Sequence, residues 1–490
     1  MIKSILKTSI LVLTIVVALV ACSSAATHQM TLTPTFAPES TASKKSPVAL
    51  QLCKISDISA LCGTLKVYED RATRSGRMID LRIAVIKARN FKPAPDAIFW
   101  VAGGPGESAV DWGPYAMQLL GLANEQRDVV MVDIRGTGGS NPLVCPQPAD
   151  PALRVEAVRN CLPGLNGDPR AYTTAWAMDD LDDVRAALGY DQINLYGASY
   201  GGFAAQIYIL RHGDHVRTAA MDGVTLLDRP FIERWPITSQ KALDLTFTRC
   251  EKDAGCHAAF PNLRQEFAKV LAQLNRSPIT VPITNPATGQ PLVITSEIFK
   301  NTIHGALATT PTVALVPKLI HLIYSEDWKA LAELLAPYLS NAKAMSQWRI
   351  MNLTILCYED WAKNRPAETT AASAGSYLTY DDVQALAVPA NICALMPQPK
   401  AEALYGAVTT SSVPVLLFNG EADPQNPPEN VAGAKQRYPN GLSLVAPGQA
   451  HGFTGIPCRA AILADFIARG SVEGLSSKCL EEVDLPPFIQ

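Results

Sequence analysis

The chain has 490 residues, of which 48% are hydrophobic and 18% are charged, and its formal net charge at pH 7 is -3. This length allows one large domain with an insertion or two domains, and the composition predicts a globular protein with a sizeable core. The small net charge gives no electrostatic reason to expect a nucleic acid as partner. Neither G-x-x-x-x-G-K-[ST] nor H-E-x-x-H occurs in the sequence, so we expect no P-loop, no metal and no cofactor.

The N-terminus has the layout of a secretory signal peptide. Lys3 and Lys7 precede an apolar run, residues 10–21, that is too short to span a bilayer comfortably. The run ends in Leu-Val-Ala-Cys at 19–22, which resembles the lipobox of bacterial lipoproteins. We expect removal of residues 1–21, a lipid on Cys22, and a protein anchored to the membrane of the bacterial cell envelope. The serine after Cys22 favours the outer membrane if the host is Gram-negative. An ordinary signal peptide with an incidental cysteine is the alternative.

The cysteines fit an exported protein. Ten remain after Cys22, an even number, as expected for disulfides in an oxidising compartment. Metal binding by Cys250, Cys256 and His257 is disfavoured because no fourth ligand lies nearby. The order of the cysteines suggests local pairs: Cys53 with Cys62, Cys145 with Cys161, Cys250 with Cys256, Cys357 with Cys393, and Cys458 with Cys479.

The elements that follow alternate between strand and helix patterns. Residues 22–48 are rich in Ser, Thr, Ala and Pro and are predicted to be a flexible tether. From residue 49 to 225, β patterns alternate with helical ones, which predicts a mostly parallel sheet with helices on both faces, an α/β fold. The predicted strands are 64–68, 79–87, 97–101, 129–134, 193–196 and 218–221, and helices are predicted at 175–188 and 200–209. The four aspartates at 179, 180, 182 and 183 are predicted to form a solvated helix face.

Residues 226–410 are mainly helical in pattern and are predicted to form a large cap inserted into the sheet fold. Predicted helices are 239–252, 263–274, 296–308, 313–324 and 328–335, and a hairpin joins 279–283 to 292–295. The sheet pattern then resumes in residues 411–490, with strands at 413–418 and 442–445 and helices at 429–437 and 459–468.

A Gly-Ala-Ser-Tyr-Gly pentapeptide at 197–201 joins a buried strand to a helix. A serine on such a sharp turn exposes its hydroxyl, and the flanking glycines avoid clashes. The pattern by itself could arise by chance, so its meaning depends on partners elsewhere in the chain. Ser199 is the predicted nucleophile.

A serine needs a base, which is usually a histidine oriented by a carboxylate. His451, in a glycine-flanked loop after a late strand, is the best candidate among the seven histidines. Asp423, which follows the strand at 413–418, is favoured as the acid, and Asp222 is the alternative. The predicted oxyanion donors are the backbone N–H groups of Tyr200 and of Gly104, in the Gly-Gly-Pro-Gly turn at 103–106.

The combined motifs resemble the proline iminopeptidase and secreted tripeptidyl aminopeptidase group of α/β hydrolases. They are Gly-Gly-Pro-Gly at 103–106, D-x-R-G-x-G-x-S from Asp133, the turn around Ser199, Gly-Glu-Ala-Asp at 420–423 and Gly-Gln-Ala-His-Gly at 448–452. The resemblance covers about residues 50–480 and implies an α/β-hydrolase fold, a Ser199–His451–Asp423 triad and peptide substrates. The sequence departs from the group's pattern at Ala102, before the glycine turn, and at Pro-Gln-Asn-Pro-Pro after Asp423. These departures keep the three residues of the triad, but the resemblance then does not define the exact peptide specificity.

An aminopeptidase must also recognise the free α-ammonium group of its substrate, which calls for carboxylates. Glu359, Asp360 and Glu107 are the candidates, and ordinary surface charge is the alternative for each. The leading prediction is an N-terminal peptidase that acts through an acyl-enzyme. An esterase or lipase on the same fold is the alternative, and a non-catalytic binding lipoprotein is the third. The sequence carries no signal for the oligomeric state.

Overall fold

The computed structural model describes most of the chain after the predicted tether. The signal peptide, Cys22 and nearly all of the tether lie outside the described residues. Among the described residues, none of the helices combines the length and the apolar character that a membrane crossing requires. The described residues are 48–148, 153–230, 232–284, 289, 291–339, 347–360, 365–387, 390–407, 410–452 and 456–490.

A nine-stranded sheet forms the centre of the molecule. The strands in chain order are β1 (Gln51–Ile55), β2 (Ile58–Tyr68), β3 (Met78–Ile86), β4 (Ile98–Val101), β5 (Val129–Val132), β6 (Val144–Pro146), β7 (Ile193–Ala198), β8 (Val216–Asp222), β9 (Ile279–Thr284), β10 (Pro291–Ile294), β11 (Gln347–Arg349), β12 (Val415–Gly420) and β13 (Leu442–Ala446).

The sheet order is β1-β2-β3-β5-β4-β7-β8-β12-β13. The pairs β1–β2, β2–β3 and β3–β5 are antiparallel. Every later pair in this order, from β5–β4 to β12–β13, is parallel. The apolar runs of β4 and β5 are buried on both faces, as expected for central parallel strands. Phe99 and Trp100, neighbours in β4, contribute to separate hydrophobic cores on the two faces. The mostly parallel sheet predicted from the sequence is therefore confirmed.

Helices cover both faces of this sheet and fill the region between β8 and β12. In chain order they are α1 (Gly113–Leu120), α2 (Arg154–Cys161), α3 (Thr174–Leu188), α4 (Tyr200–His212), α5 (Trp235–Lys252), α6 (Ala254–Ala259), α7 (Leu263–Leu274), α8 (Ser296–Leu307), α9 (Thr310–Val313), α10 (Val316–Tyr324), α11 (Trp328–Leu339), α12 (Ile350–Thr354) with a π-helical turn (Ile355–Asp360), α13 (Pro366–Ala372), α14 (Tyr380–Ala387), α15 (Ala390–Cys393), α16 (Ala434–Arg437) and α17 (Pro457–Arg469).

Several predicted elements are too short: β2 begins at Ile58 and not at 64, α5 begins at Trp235 and not at 239, and α11 ends at Leu339 and not at 335. Two further predicted helices are wrong in extent for a local reason. The helix predicted at 313–324 is divided into α9 and α10, and Pro317 lies in the first turn of α10, where its missing N–H costs no hydrogen bond. The helix predicted at 429–437 is reduced to a short 3₁₀ turn (Pro428–Val431) and the single turn of α16. Gly433 separates them with φ +91°, a conformation that helices exclude.

A small sheet that the sequence did not predict joins the predicted cap to the predicted core. In it β11, which precedes α12, pairs antiparallel with β6, which follows β5. The hairpin of β9 and β10 forms a separate two-stranded sheet, close to its predicted position. The boundaries of the cap at 226–410 remain a prediction, but the segment that contains β11 contacts the sheet domain through backbone hydrogen bonds.

All five predicted disulfides are confirmed. They are Cys53–Cys62, Cys145–Cys161, Cys250–Cys256, Cys357–Cys393 and Cys458–Cys479. Each closes a local loop, and the longest loop separates its cysteines by 36 residues. The pairing fits folding in an oxidising compartment.

The acidic face predicted on the helix at 175–188 is solvated only at Asp183, whereas Asp180 is buried and Asp179 and Asp182 are partly buried. Asp180 is 1% exposed and receives two hydrogen bonds from the guanidinium of Arg135, at 2.6 and 2.8 Å. Arg135 is fully buried and also donates to the carbonyl oxygens of Glu69 and Ala171. The prediction failed because the cations that pair with these aspartates, apart from Arg185 on the same helix, come from other parts of the chain.

Asp182 illustrates the same point. Its Oδ1 atom accepts hydrogen bonds from Arg185 and Tyr208 and lies 2.7 Å from Nδ1 of His215. The carboxylate and the rings of His212 and His215 lie close enough together to suggest a metal site. Because Asp182 already carries these partners, we interpret the group as a network that joins α3 to the C-terminal end of α4.

The Arg135–Asp180 pair yields a stability prediction. Asp180→Asn leaves the fully buried guanidinium of Arg135 without its countercharge, so we expect a loss of about 3–5 kcal/mol in the free energy of unfolding. Asp183→Asn is the matched control, because the Asp183 side chain is 51% exposed and exposed pairs contribute about 0–1 kcal/mol. Urea unfolding with the disulfides intact measures both. Equal losses in the two variants would contradict the prediction.

Candidate active site

Ser199 lies on a tight turn between β7 and α4. Its φ is +55° and its ψ -124°, a conformation that is rare outside glycine. A Cβ atom on Gly197 would lie 2.2 Å from the carbonyl oxygen of Gly201, and one on Gly201 would lie 2.2 Å from that of Val101. Glycine is therefore required at both positions. The turn leaves Ser199 partly exposed, between the half-buried Ala198 and the buried Tyr200.

His451 and Asp423 form a hydrogen-bonded pair, with 2.8 Å between Nδ1 and Oδ2. The Asp423 side chain is fully buried, and its other oxygen accepts the backbone N–H groups of Gln425 and Asn426, each at 2.8 Å. Three hydrogen bonds thus hold the carboxylate in one orientation. Because the imidazole presents Nδ1 to Asp423, its Nε2 atom is left for other contacts.

Gly223 links this pair to the Ser199 turn. A Cβ atom on Gly223 would lie 3.1 Å from both Cε1 and Nδ1 of His451 and 3.5 Å from Oδ2 of Asp423. The backbone carbonyl oxygen of the preceding residue, Asp222, accepts the backbone N–H of Ser199 at 2.8 Å. The hydrogen bonds of the described residues include none between Ser199 Oγ and His451. In structures without substrate such contacts are often long and tighten only in the complex.

The alternative acid, Asp222, has other partners. Its carboxylate accepts the hydroxyl of Tyr196 at 2.5 Å and forms an ion pair with the buried guanidinium of Arg459 on α17. His451 is hydrogen-bonded to Asp423 instead. The carboxylate of Asp222 therefore serves to join β7, β8 and α17.

Residues of the predicted cap hold both loops of the His–Asp pair. Thr310 Oγ1 accepts the backbone N–H of Ala450 at 3.1 Å and donates to Oε1 of Gln449 at 2.7 Å. Gly452 donates its N–H to the carbonyl oxygen of Ala308 at 2.9 Å. On the other loop, Thr238 on α5 donates to the carbonyl oxygen of Pro424 at 2.5 Å.

His304, on α8, is a buried histidine near the pair that the sequence did not single out. Its Nδ1 lies 2.7 Å from Ser239 Oγ, and that hydroxyl lies 3.3 Å from the carbonyl oxygen of Pro424. Burial lowers the pKa of His304 to about 4, so the ring is neutral at physiological pH. No local pattern could have identified it, because the contact joins helices 65 residues apart in the chain.

The Gly-Gly-Pro-Gly turn lies against Ser199. A Cβ atom on Gly103 would lie 3.6 Å from Ser199 Cβ. Gly104 is exposed and has φ +106°, and among the described residues its N–H has no acceptor. The N–H of Tyr200 begins α4, so it has no partner within that helix. Both predicted oxyanion donors thus lie beside the serine, and Asn352 on α12 supports the turn by donating to the carbonyl oxygen of Pro105 at 2.9 Å.

Glu107 follows this turn and lies beside the serine. Its Oε2 atom would be 3.3 Å from the same Gly103 Cβ. Burial raises the pKa of Glu107, while Arg349, His451 and a hydrogen bond from Trp112 lower it in part. Arg349 packs on the turn as well, since its Cδ atom would lie 3.0 Å from a Cβ atom on Gly106.

Glu359 and Asp360 are buried in the π-helical turn that follows α12. Glu359 Oε1 accepts the backbone N–H of Thr174 at 2.9 Å, and the hydroxyl of Thr174 lies 2.8 Å from that of Tyr200. The second oxygen, Oε2, has no hydrogen-bond partner among the described residues, and burial raises the pKa of Glu359 to about 7. Both carboxylates are therefore shielded from solvent and are not surface charges, and Glu359 lies behind the first turn of α4.

The electrostatic balance at His451 sets its proton affinity. Burial lowers the pKa of the imidazole, but Asp423 and, more weakly, Glu107 raise it, and the net pKa is above the usual value. Glu107 thus acts on the imidazole through space, whereas Asp423 acts through a direct hydrogen bond as well.

Comparisons with known proteins identify the fold and the relatives of the chain. Residues 96–254 match the family model of the alpha/beta hydrolase fold, and residues 380–479 match that of the TAP-like proteins. The chain is 24% identical to the tripeptidyl aminopeptidase of Streptomyces coelicolor over 85% of its own length and 82% of that protein's. It is 30% identical to the serine protease Hip1 of Mycobacterium tuberculosis over 40% of this chain and 42% of that protein.

Among solved structures, the proline iminopeptidase of Mycobacterium smegmatis aligns with 83% of this chain and 98% of its own, at 15% identity and a TM-score of 0.37. That similarity is too low to support a conclusion. The family models and the sequence relatives confirm the resemblance noted from the motifs: the chain is an enzyme of the α/β-hydrolase fold, related to tripeptidyl aminopeptidases and with a TAP-like segment near its C-terminus.

Proposed function

We propose that this protein is a serine peptidase that removes residues from the N-terminus of peptides through an acyl-enzyme. In this mechanism Ser199 is the nucleophile, His451 the general base and Asp423 the residue that orients and stabilises the imidazole. The observation that carries the proposal is the His451–Asp423 hydrogen bond, at the side of Gly223 that adjoins the Ser199 turn. The relatives named above, a tripeptidyl aminopeptidase and a serine protease, support the peptidase assignment.

The proposed reaction follows from the positions of these groups. Asp423 holds Nδ1–H of His451, so Nε2 accepts the hydroxyl proton as Ser199 Oγ attacks the scissile carbonyl carbon. The backbone N–H groups of Tyr200 and Gly104 stabilise the negative charge that develops on the carbonyl oxygen. His451 then gives the proton to the leaving amine, and a water molecule, activated in the same way, hydrolyses the acyl-enzyme.

Fluorophosphonate labelling tests the nucleophile. We expect the folded protein to be labelled at Ser199, and Ser199→Ala to abolish labelling and to lower kcat on the order of 10⁶-fold. Ser75→Ala, in an exposed turn, is the matched control, and we expect it to keep both the labelling and the kcat of the wild type. Absence of labelling in folded protein would favour a non-catalytic binding lipoprotein. Aminoacyl- and tripeptidyl-anilides, compared with short-chain esters, test the substrate class, and turnover of esters alone would overturn the peptidase assignment.

The pH dependence of labelling tests the base. Ser199 reacts when His451 is neutral, so the labelling rate rises as the pH increases through the pKa of His451. Because Glu107 raises that pKa, Glu107→Gln shifts this rise in the labelling rate to lower pH. Asp111→Asn removes a charge from the side chain of a nearby exposed aspartate and serves as control. If the labelling rate of Glu107→Gln rises at the same pH as in wild type or at a higher pH, the assignment of His451 as the base would be contradicted.

We further propose that the protein is exported and anchored to the membrane through a lipid on Cys22. The five disulfides between Cys53 and Cys479 support export. Expressed with its own signal peptide in a Gram-negative host, the protein should enter the membrane fraction and incorporate labelled palmitate, and Cys22→Ser should abolish incorporation. Palmitate incorporation that persists in Cys22→Ser would refute the lipid site.

A further inference from the structure

Glu107 occupies a special place among the three carboxylates predicted to receive the substrate ammonium. Glu359 and Asp360 are at most 2% exposed, and Glu359 lies behind the first turn of α4. Glu107 directly follows the turn that carries the proposed oxyanion donor Gly104. Its carboxylate and Ser199 Cβ would both contact a Cβ atom placed on Gly103. A substrate carbonyl bound at Ser199 therefore lies close to Glu107.

The Glu107 carboxylate receives a hydrogen bond from Trp112 but forms no ion pair with a described residue. Among the described residues, no Lys, Arg or His nitrogen lies within the 4.0 Å that defines an ion pair with this carboxylate. Arg349 and His451 act on it from further away and lower its pKa against the effect of burial. They favour an ionised carboxylate, but they do not neutralise it by direct contact. A largely buried carboxylate without such contact is stabilised when a cation binds to it.

The distance from Glu107 to the serine limits the length of the released fragment. The contacts around Gly103 place Glu107 Oε2 no more than about 7 Å from Ser199 Cβ. In a substrate residue, the amino nitrogen is about 2.5 Å from the carbonyl carbon of the same residue, and each extended residue adds about 3.3–3.6 Å. With the first carbonyl of a peptide bound for attack, at about 3–3.5 Å from Ser199 Oγ, its ammonium reaches Glu107. If the third carbonyl were bound there, an extended peptide would carry the ammonium about 7 Å further away.

On the basis of the proposed function, we infer that Glu107 binds the free α-ammonium of the residue whose carbonyl Ser199 attacks, so that the enzyme releases one N-terminal residue per cycle. The substrate class is thus a peptide with an unblocked N-terminus, and the first peptide bond is cleaved. In the relative from Streptomyces coelicolor, named a tripeptidyl aminopeptidase, the name implies that the third bond is cleaved. Glu107 is a binding residue in this scheme and takes no part in proton transfer.

Product analysis of the wild-type enzyme is the first test. A decapeptide with a free N-terminus is incubated with enzyme, and the products are followed by mass spectrometry. Stepwise loss of single residues is expected, and release of an intact tripeptide as the first product would overturn the inference while leaving the peptidase assignment intact. If neither occurs and only esters are hydrolysed, it is the proposed function that fails.

The second test uses the charge of Glu107. For each enzyme, kcat/KM is measured on an aminoacyl-anilide and on its N-acetylated counterpart. The value for the free substrate is divided by that for the acetylated one, and this ratio is compared between wild type and variants. We expect Glu107→Gln to lower this ratio about 10- to 100-fold, as for the loss of a charge-assisted hydrogen bond. Asp111→Asn, which removes a carboxylate four residues further along the same loop, leaves the ratio unchanged.

Glu359→Gln separates the two sites. If the ratio falls in Glu359→Gln and not in Glu107→Gln, the ammonium is bound at the buried site and the inference is wrong. Fluorophosphonate labelling of each variant shows that the protein is folded and that Ser199 is reactive. A partial recovery of the ratio in Glu107→Asp would further distinguish binding of a cation from a purely structural role.

Discussion

The candidate site depends on how closely three backbone segments approach one another at Ser199. The end of β7, the start of α4 and the end of β4 are so close that a Cβ atom on Gly197 or Gly201 would lie about 2 Å from a carbonyl oxygen. This contact maintains Ser199 at positive φ, a conformation that costs on the order of 1–3 kcal/mol. It also brings the turn after β4, with Gly103 and Gly104, beside the first N–H group of α4. A larger residue at either glycine would therefore separate the serine from the proposed oxyanion donors.

The proposed base and acid, His451 and Asp423, are positioned by a different part of the molecule. Their loops follow β12 and β13, but the hydrogen bonds that fix them come from Thr238 on α5, Thr310 on α9 and the backbone of Ala308. The turn beside Ser199 is held in a similar way by Asn352 on α12. The helical region between β8 and β12 consequently contributes to the arrangement of all three loops. A movement of these helices would alter the relative positions of serine, histidine and oxyanion donors together.

The sequence was most informative where function restricts the local backbone. The turn at Ser199, the strands around it and the loops of Asp423 and His451 carry short motifs, and the cysteine order was enough to predict all five disulfides. It was least informative where the partner of a residue is distant. Asp180 looked like a solvated carboxylate because its partner, Arg135, is 45 residues away. His304 and the strand β11 carry no local signal, and the hydrogen-bond partner of Glu359 is Thr174, 185 residues away.

In the proposed mechanism, Glu107 connects substrate recognition to the reactivity of His451. In the free enzyme its negative charge helps to raise the pKa of His451, which opposes the effect of burial. A substrate ammonium bound to Glu107 would cancel much of that charge, and it would itself lie near the imidazole. Both effects lower the pKa of His451, so the neutral form that accepts the serine proton becomes more populated when a free N-terminus is in place. A peptide blocked at its N-terminus would lack this effect as well as the direct contact. The same carboxylate can thus couple the choice of substrate to the activation of Ser199.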